Sequence, residues 1–320
     1  MGYKRAGCEV IAANDIDPEM AYHYKLNIKP KHYFLCPIRD LLTQDLPKEL
    51  FGIDILDGSP PCSTFSVSGN REKDWGKKKH FKEGQATQVL SDLFFDYLDL
   101  VGHLKPKVAI AENVKGMTIG NAKGYVKLIM ARFKELGYRP QLFLINAASC
   151  GVPQRRERVF FCALRNDIPA PMLKISCQEK WISAGEATTD LQTLTKNEKE
   201  DTKFTSNTDK KWWPLTNPGE KYEEATERFG LAKYWNHKRL LKTKPSNTLP
   251  AAHANITHWG EPRQLTFREW KRFGSFPDDY QAKTDKIGKY MIGMSVPPKM
   301  AEVVARAVID QWLLPKEANP

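Results

Sequence analysis

The sequence contains no uninterrupted apolar run of about 18 residues, the length that a membrane-spanning helix needs, so no such helix is expected. No apolar core of the kind that export signals require follows the opening residues Met1-Gly2-Tyr3. Internal repeats and low-complexity segments are also missing, and the composition is too ordinary for a disordered or fibrous protein. We therefore expect an intracellular, cytoplasmic globular protein.

The cysteines lack the spacing of a metal site or of a disulfide framework. The 6 cysteines include no Cys-x-x-Cys pair, and none has a neighbouring histidine at metal-ligand spacing. Neither a zinc site nor a set of disulfides is therefore expected. With the exception of Cys62, we expect the cysteines to be small buried hydrophobic residues.

The charge is unbalanced towards the basic side. Lysine and arginine number 49 against 38 acidic residues, which gives a formal net charge of +11 and a pI near 9.2. This excess favours a polyanionic partner, although many basic proteins bind no nucleic acid. At 320 residues and 41% hydrophobic content, the chain is long enough for one large core and a smaller appended unit.

One thiol stands out by its position. Cys62 lies in the proline-rich turn Gly58-Ser59-Pro60-Pro61-Cys62-Ser63-Thr64-Phe65-Ser66, directly after the short apolar segment Phe51–Leu56. That segment alternates poorly and ends at Asp57-Gly58, which is typical of a buried parallel strand. Ligands of open α/β sheets bind at the carboxyl ends of such strands. A lone cysteine in such a turn is usually structural, so its neighbours in the fold decide its role.

Strand and helix patterns alternate along the first half of the chain, from Cys8 to Leu164. This alternation predicts an α/β fold with a mainly parallel sheet and helices on both faces. The pattern then changes, and residues 171–284 are predicted to form a second, smaller domain. Residues 1–170 are predicted to form the larger domain, completed by residues 285–320, whose last helix has an apolar stripe.

Polar side chains mark several strand ends. Glu112-Asn113-Val114 follows the apolar strand Val108–Ala111, and two spaced arginines, Arg156 and Arg158, lead into the apolar strand Val159–Leu164. We expect these groups and Cys62 to converge above one edge of the sheet. The sequence also places a capping box before a helix, with Thr266 as the N-cap.

Asp15 ends the first strand pattern, just before a helix that begins at Pro18. An acidic residue there can accept from a ribose hydroxyl or can cap the helix, and the local sequence favours the cap.

The basic, glycine-containing stretch 67–85 is predicted to be a long loop. Such a loop can close over phosphates or can be a solvated surface excursion.

Together these segments resemble the cytosine-C5 DNA methyltransferases over nearly the whole chain. Each motif is weak alone, but all of them occur in the order of the family. The matching segments are Pro61-Cys62 within Gly58–Ser66, Glu112-Asn113-Val114, Gln154-Arg155-Arg156-Glu157-Arg158, Arg263-Gln264-Leu265-Thr266-Phe267-Arg268-Glu269 with Phe276-Pro277-Asp278, and Gly293-Met294-Ser295-Val296-Pro297-Pro298.

The resemblance implies a catalytic role for four residues. Carbon 5 of cytosine is too poor a nucleophile to take a methyl group directly from a sulfonium, so a thiolate must first add at carbon 6. Cys62 would be that nucleophile, and Glu112 would bond N3 and the exocyclic amine. Arg158 and Arg156 would bind the base carbonyl or position the other two groups. The base has to be flipped out of the duplex first, with residues 67–85 closing over it.

The resemblance also implies S-adenosylmethionine as the cofactor and a Rossmann-like methyltransferase fold with a small target-recognition domain. Asp15 would bind the ribose hydroxyls and Ile16 would contact the adenine, with Ile38 nearby. Pro61 and Ser295 would complete the cofactor site. The implied partner is double-stranded DNA, bound by a monomer, and the presence of a cognate restriction endonuclease stays open.

The first motif of that family, a strand ending in a Phe-x-Gly-x-Gly-Gly loop, has no counterpart in the sequence. We therefore expect the sheet to lack a central strand, and we interpret the chain as an N-terminally shortened version of a longer enzyme. Two alternatives stay open. One is methylation of cytosine in RNA by the same fold, and the other is a catalytically silent DNA-binding remnant.

Overall fold

A computed structural model describes most of the chain, in two compact units. The described residues are 1–60, 93–120, 122–177, 179–191, 193–231, 237–251 and 255–314, with the backbone of 78–79 and 88–89. The first unit, here called the sheet unit, comprises residues 3–145, 157–176 and 304–320. The second, here called the helical unit, comprises residues 1–2, 146–156 and 177–303.

The strands are short and follow the predicted order along the chain. Their bounds are β1 Ala12–Asp15, β2 His32–Leu35, β3 Ile55–Gly58, β4 Lys78–Lys79, β5 Gln88–Val89, β6 Val108–Val114, β7 Tyr138–Asn146, β8 Glu157–Arg165, β9 Lys238–Arg239 and β10 Ile256–Thr257. β1 and β2 form a parallel pair, and a separate four-stranded sheet has the order β3-β6-β8-β7. β9 and β10 form a parallel pair in the helical unit, and β4 pairs antiparallel with β5.

Helices separate most of these strands. The α-helices are α1 Gly2–Arg5, α2 Pro18–Ile28, α3 Leu93–Leu104, α4 Ala122–Glu135, α5 Ala184–Ala187, α6 Lys196–Asp201, α7 Asn207–Trp212, α8 Tyr222–Arg228, α9 Phe267–Phe273, α10 Asp285–Met294 and α11 Pro298–Val308. Shorter 3₁₀ helices occur at Ile38–Leu42, Lys48–Leu50, Lys115–Thr118 and Ala147–Cys150, and a π-helical turn at Ile309–Leu313. Among the described residues, no helix is long and apolar enough to cross a membrane.

The core of the sheet unit forms where α3 and α4 pack against β6 and β8. Phe94 and Tyr97 of α3 and Phe133 of α4 meet Ala109 and Phe161 of the two strands. Every residue of β6 except the last is buried. The uninterrupted apolar run that opens this strand therefore reflects a strand without a solvated face.

The four-stranded sheet contains an antiparallel pair and is separate from the β1–β2 pair. β8 runs antiparallel to β6, so the four-stranded sheet is mixed and not wholly parallel. In addition, β1 and β2 do not continue into that sheet, and among the described residues no strand pairs with both β1 and β3.

The compact units also differ from the predicted domain boundaries. Residues 285–303 belong to the helical unit, whereas the sequence pattern assigned them to the larger domain. Their helix α10 packs against α9 within the helical unit, which explains the difference. The functional division into a catalytic and a target-recognition domain stays a prediction.

The helical unit contains the predicted capping box. The Thr266 hydroxyl accepts from the Glu269 backbone N–H at 3.1 Å, and the Glu269 carboxylate accepts from the Thr266 N–H at 2.8 Å. The buried Arg263 guanidinium then binds both oxygens of Glu269 at 2.9 Å each. These bonds fix the start of α9, so that Trp270 and Phe273 lie in the core of the unit.

A close contact at Gly58 sets the distance between β3 and α3. The Tyr97 hydroxyl donates to the carbonyls of Leu56 at 3.0 Å and Ile110 at 2.9 Å, which ties β3 to β6 from the helix above. A Cβ atom at Gly58 would lie 2.6 Å from Cε2 of the Tyr97 ring. The position therefore requires glycine because of space and not because of its backbone angles.

We predict that Gly58→Ala lowers the free energy of unfolding by about 1–3 kcal/mol, because either the Tyr97 ring or the strand must move. Gly124→Ala is the matched control, since nothing lies within 4 Å of a Cβ there and the residue is in α4. The control should gain about 0.5–1 kcal/mol from reduced backbone entropy. Urea unfolding of both variants measures the two changes, and equal effects would contradict the role given to Gly58.

Candidate active site

The carboxyl end of β6 presents a buried ion pair. Glu112 lies near this end, and Arg158 lies near the start of the adjacent strand β8. Because β8 runs antiparallel to β6, its start lies beside the end of β6, and the register pairs Val114 with Arg158 and Glu112 with Phe160. The two side chains are thus diagonal neighbours on one face, and Arg158 Nε lies 2.9 Å from Glu112 Oε1.

This ion pair is largely withdrawn from water. The side chains of Arg158 and Glu112 are 15% and 11% exposed. Burial lowers the pKa of Arg158, and the neighbouring Glu112 opposes that shift. Arginine nevertheless stays protonated in proteins, so Arg158 supplies a fixed positive charge. It also donates to the Glu157 carbonyl at 2.8 Å, which orients its guanidinium plane towards Glu112.

The neighbouring residue of β6 holds the segment that leads to the candidate thiol. Asn113 Nδ2 donates to the Pro60 carbonyl at 3.0 Å, and both residues are buried. Pro61 and Cys62 follow directly but lie outside the described residues, as do most of residues 67–85. The structure therefore brings Glu112 and Arg158 together and fixes the last described residue before the predicted nucleophile.

Sequence reasoning missed an acidic neighbour of this site. Asp57, near the end of β3, accepts from the Tyr3 hydroxyl at 2.6 Å. Loss of water around its carboxyl group raises the pKa of Asp57 to about 6, and the charge of Glu112 adds to this while the Tyr3 bond opposes it. The only signal for it in the sequence is its place at the end of the apolar segment Phe51–Leu56.

Arg156 has a different environment from Arg158. It lies in the helical unit, is only 3% exposed, and donates to the carbonyls of Leu249 at 3.1 Å and Gly293 at 3.0 Å. Gln154 completes this arrangement, since it donates to the Phe273 carbonyl at 3.2 Å and accepts from the Leu249 N–H at 3.1 Å. Gln154 and Arg156 therefore tie together three segments of the helical unit.

The residues predicted to bind a cofactor fall into both units. Asp15 and Ile16 end β1, and Ile38 packs half-buried against the core of the sheet unit after β2. Asn14 donates to the carbonyls of Phe34 at 3.0 Å and Cys36 at 2.8 Å, so the ends of the two parallel strands are held together. These three predicted residues therefore lie at one pair of strand ends.

The local prediction that Asp15 caps α2 is wrong. The N-cap is Asp17, whose carboxylate accepts from the N–H groups of Glu19 and Met20. Asp15 instead accepts from the Asp17 N–H at 3.0 Å, and loss of water around its carboxyl group raises its pKa. Ser295 lies in the helical unit and donates to the Met291 carbonyl at 2.7 Å, which closes the end of α10.

These residues fit part of S-adenosylmethionine. A carboxylate at the end of β1 suits ribose hydroxyls, and the half-buried Ile16 and Ile38 suit the flat apolar faces of an adenine. In the part of the chain that the structure describes, no group of three or more potential metal ligands occurs.

Comparison with known proteins gives a consistent result. The model of the family described as C-5 cytosine-specific DNA methylase matches residues 1–310. The Type II methyltransferase M.NgoFVII of Neisseria gonorrhoeae is 29% identical over 331 aligned positions, which cover 97% of this chain and 83% of that protein.

Solved structures of low sequence identity share the fold. A DNA modification methyltransferase encoded within an E. coli prophage has a TM-score of 0.72 at 18% identity, covering 97% of this chain and 94% of that one. A mutant of Spodoptera frugiperda DNMT2 has a TM-score of 0.65 at 17% identity, covering 96% and 95%. These likenesses confirm the predicted α/β fold of the Rossmann-like methyltransferases.

The environment of Arg156 leads to a prediction about stability. Lysine has a single ammonium and cannot reproduce the planar fork that reaches two carbonyls, so Arg156→Lys should lower the free energy of unfolding by about 1–3 kcal/mol. Arg155→Lys is the matched control, because Arg155 adjoins Arg156 in the chain but is exposed. The control should stay within about 0.5 kcal/mol of the wild type in denaturant unfolding. An equal loss in both variants would contradict the assigned role.

Proposed function

Since this chain belongs to the family of C-5 cytosine-specific DNA methylases, we propose that it methylates carbon 5 of a flipped-out cytosine in duplex DNA through a covalent Cys62 adduct. The family makes it a DNA (cytosine-5-)-methyltransferase. The substrate, the adduct and the residue roles are parts of the proposal.

The observation that carries the proposal is the buried Glu112–Arg158 pair beside the fixed Pro60 carbonyl. A flipped base needs an acid–base group and a positive charge close to the nucleophile, and these elements provide both at the end of β6. Cys62 follows Pro60 by two residues. The proposal requires the Cys62 thiol to reach a base held by this pair, and two residues of chain span at most about 7 Å.

The steps follow from the chemistry of the ring. The Cys62 sulfur forms a bond to carbon 6, and the electron pair of the 5,6 double bond moves into the ring towards N3. A proton shared between the Glu112 carboxyl group and N3 would offset the charge that develops there, and the exocyclic amine would donate to the other carboxyl oxygen. Arg158 would keep the Glu112 carboxyl group oriented and would attract the carbonyl oxygen of the base. Carbon 5 would then take the methyl group, leaving the demethylated cofactor as a thioether. Loss of the proton from carbon 5 would re-form the 5,6 double bond and expel Cys62 as a thiolate.

S-adenosylmethionine, when bound, supplies the electrophilic methyl group. Asp15 would accept from the ribose hydroxyls, while Ile16 and Ile38 would lie against the adenine. Pro61 and Ser295 complete the set of residues that we assign to this site. The described residues fit the nucleoside part, and the resemblance to the family supports the rest.

The partner in this proposal is double-stranded DNA, bound by a monomer. The formal net charge of +11 supports a polyanionic substrate. Base flipping is required because both faces of a stacked cytosine are covered in the duplex. The gonococcal relative is named a Type II methyltransferase, which supports a role in restriction–modification with a cognate endonuclease as a separate protein.

Duplex DNA that contains 5-fluorocytosine tests the nucleophile. Fluorine cannot leave carbon 5 as a proton does, so we expect the wild-type chain to remain covalently bound to the DNA when S-adenosylmethionine is present. Mass spectrometry of the digested complex should place the adduct on Cys62. Cys62→Ser should form no adduct, whereas Cys8→Ser, the control at another accessible cysteine, should form it like the wild type.

The same assay separates the alternatives. An adduct that persists in Cys62→Ser would overturn the assignment of the nucleophile. Adduct formation with fluorocytosine RNA but not with DNA would indicate an RNA methyltransferase. Tight DNA binding with neither S-adenosylmethionine binding nor an adduct would indicate a silent DNA-binding remnant.

Glu112→Gln should lower kcat for DNA methylation by about 10²–10⁴-fold, because the amide cannot exchange a proton with the base. The matched control is Glu157→Gln, which removes a carboxylate from the adjacent strand. Glu157 forms an ion pair with Lys115 at 2.9 Å, with both side chains about two-fifths exposed. Methyl transfer measured with labelled S-adenosylmethionine should stay close to wild type in the control. A comparable loss in both variants would mean that the local charge, and not proton exchange, matters.

A further inference from the structure

Two thiols of the helical unit lie within reach of each other. The Cys150 and Cys177 sulfur atoms are 3.1 Å apart, although the residues are 27 positions apart in the chain. Both cysteines are free thiols. A disulfide bond is about 2.05 Å long, so the sulfurs need to approach by only about 1 Å to form one. No local pattern in the sequence indicates this pair, because its two cysteines lack a Cys-x-x-Cys spacing.

The backbone around the pair holds the two segments together independently of the thiols. Cys150 ends the 3₁₀ helix Ala147–Cys150, and the Ser149 carbonyl accepts from the Glu179 N–H at 3.1 Å. The Trp181 indole donates to the Ser149 hydroxyl at 3.3 Å. The two cysteines are therefore placed by several contacts on either side of them.

A small residue next to Cys150 allows an ion pair to cover this turn. Gly151 has a φ of +70°, and a Cβ atom there would collide with both Glu179 and Lys299. These two side chains form an ion pair at 3.0 Å. A larger residue at position 151 would push aside the flexible ends of these two side chains and would be strained by the positive φ.

The two thiols have unequal environments. Cys150 is 1% exposed, whereas Cys177 is half-buried and open to small solutes. Cys150 donates its S–H to Cys177, which raises the pKa of Cys150 and lowers that of Cys177. The more accessible sulfur is therefore also the one that favours the thiolate, the form that reacts with oxidants.

We propose that Cys150 and Cys177 are a reversible oxidation site that forms an intramolecular disulfide with hydrogen peroxide. The Cys177 thiolate attacks one peroxide oxygen, the O–O bond breaks, and the products are a Cys177 sulfenic acid and hydroxide, which takes up a proton to become water. The Cys150 sulfur then attacks the sulfenic sulfur, the S–O bond breaks, and a second water leaves. Two thiols are oxidised and one peroxide is reduced to two waters.

The disulfide would fasten the segment of Glu179 and Trp181 to the turn before Arg156. Ala147, at the start of that turn, donates its N–H to the Arg156 carbonyl at 2.9 Å. The bond would thus act on the part of the helical unit that Arg156 anchors. Thiols in intracellular proteins are normally kept reduced, so a disulfide at this place would be a transient, oxidant-dependent state. This inference does not depend on the proposed function.

Peptide mapping after peroxide treatment tests the proposal. The reduced full-length protein is treated with hydrogen peroxide, its remaining thiols are alkylated, and it is digested with trypsin without reductant. The expected product joins the peptide 135–155 to the peptide 175–180, two hydrogens lighter than the sum of the two, and dithiothreitol separates them. The same product is expected in Cys62→Ser, where the proposed nucleophile cannot compete for the oxidant.

Cys177→Ser should abolish the linked peptide and leave Cys150 alkylated, whereas the control Cys8→Ser should keep the link. The oxidised wild type should also melt at a higher temperature than the reduced protein, because the crosslink restricts the unfolded chain. Cys177→Ser should show no such rise. A Cys177 peptide carrying only sulfinic acid, a link from Cys177 to another cysteine, or a lower melting temperature of the linked protein would overturn the proposal.

Discussion

The antiparallel pairing of β8 with β6 is the constraint on which the candidate site depends. It places the start of one strand beside the end of the other, so that Arg158 meets Glu112 at 2.9 Å in a largely buried position. A parallel β8 would put Arg158 at the opposite edge of the sheet. Removing one partner of a buried ion pair leaves an uncompensated charge at a cost of about 3–5 kcal/mol. The Glu112–Arg158 pair therefore stabilises the fold and also supplies the charged groups of the candidate site.

The short motif that contains Arg158 serves both compact units. Gln154 and Arg156 direct their hydrogen bonds to carbonyl and amide groups of the helical unit, whereas Arg158 completes the pair in the sheet unit. Of these three side chains at alternate positions, Gln154 and Arg156 hold segments of the helical unit together, and Arg158 forms the ion pair with Glu112. In the proposed mechanism Arg158 is the arginine that contacts the base, and Arg156 is a positioning residue.

Much of the fold could be predicted from local patterns. The apolar run before Glu112 predicted the strand β6 correctly, because a strand buried on both faces is continuously apolar. The capping box at Thr266 followed from side chains three residues apart. The direction of β8 was not predictable, because a buried strand has the same apolar pattern in a parallel and in an antiparallel sheet.

Local patterns also could not predict which of two nearby carboxylates caps a helix, or which distant residues meet in the fold. The N-cap of α2 is Asp17 and not Asp15, because one extra extended residue separates strand from helix, and either carboxylate fits the local rule. The expectation of buried cysteines holds for Cys150 and Cys162, whereas Cys8, Cys36 and Cys177 are half-buried. The approach of Cys150 to Cys177 depends on how two separate loops pack.

The most direct test of the central claim is a crystal structure of the chain trapped on duplex DNA that contains 5-fluorocytosine. The account predicts a bond between the Cys62 sulfur and carbon 6 of the flipped base. It also predicts a Glu112 oxygen at about 2.6–3.2 Å from N3 or the exocyclic amine, with Arg158 still bound to Glu112. A trapped base whose N3 is bound by another side chain, with Glu112 turned away from it, would contradict the account.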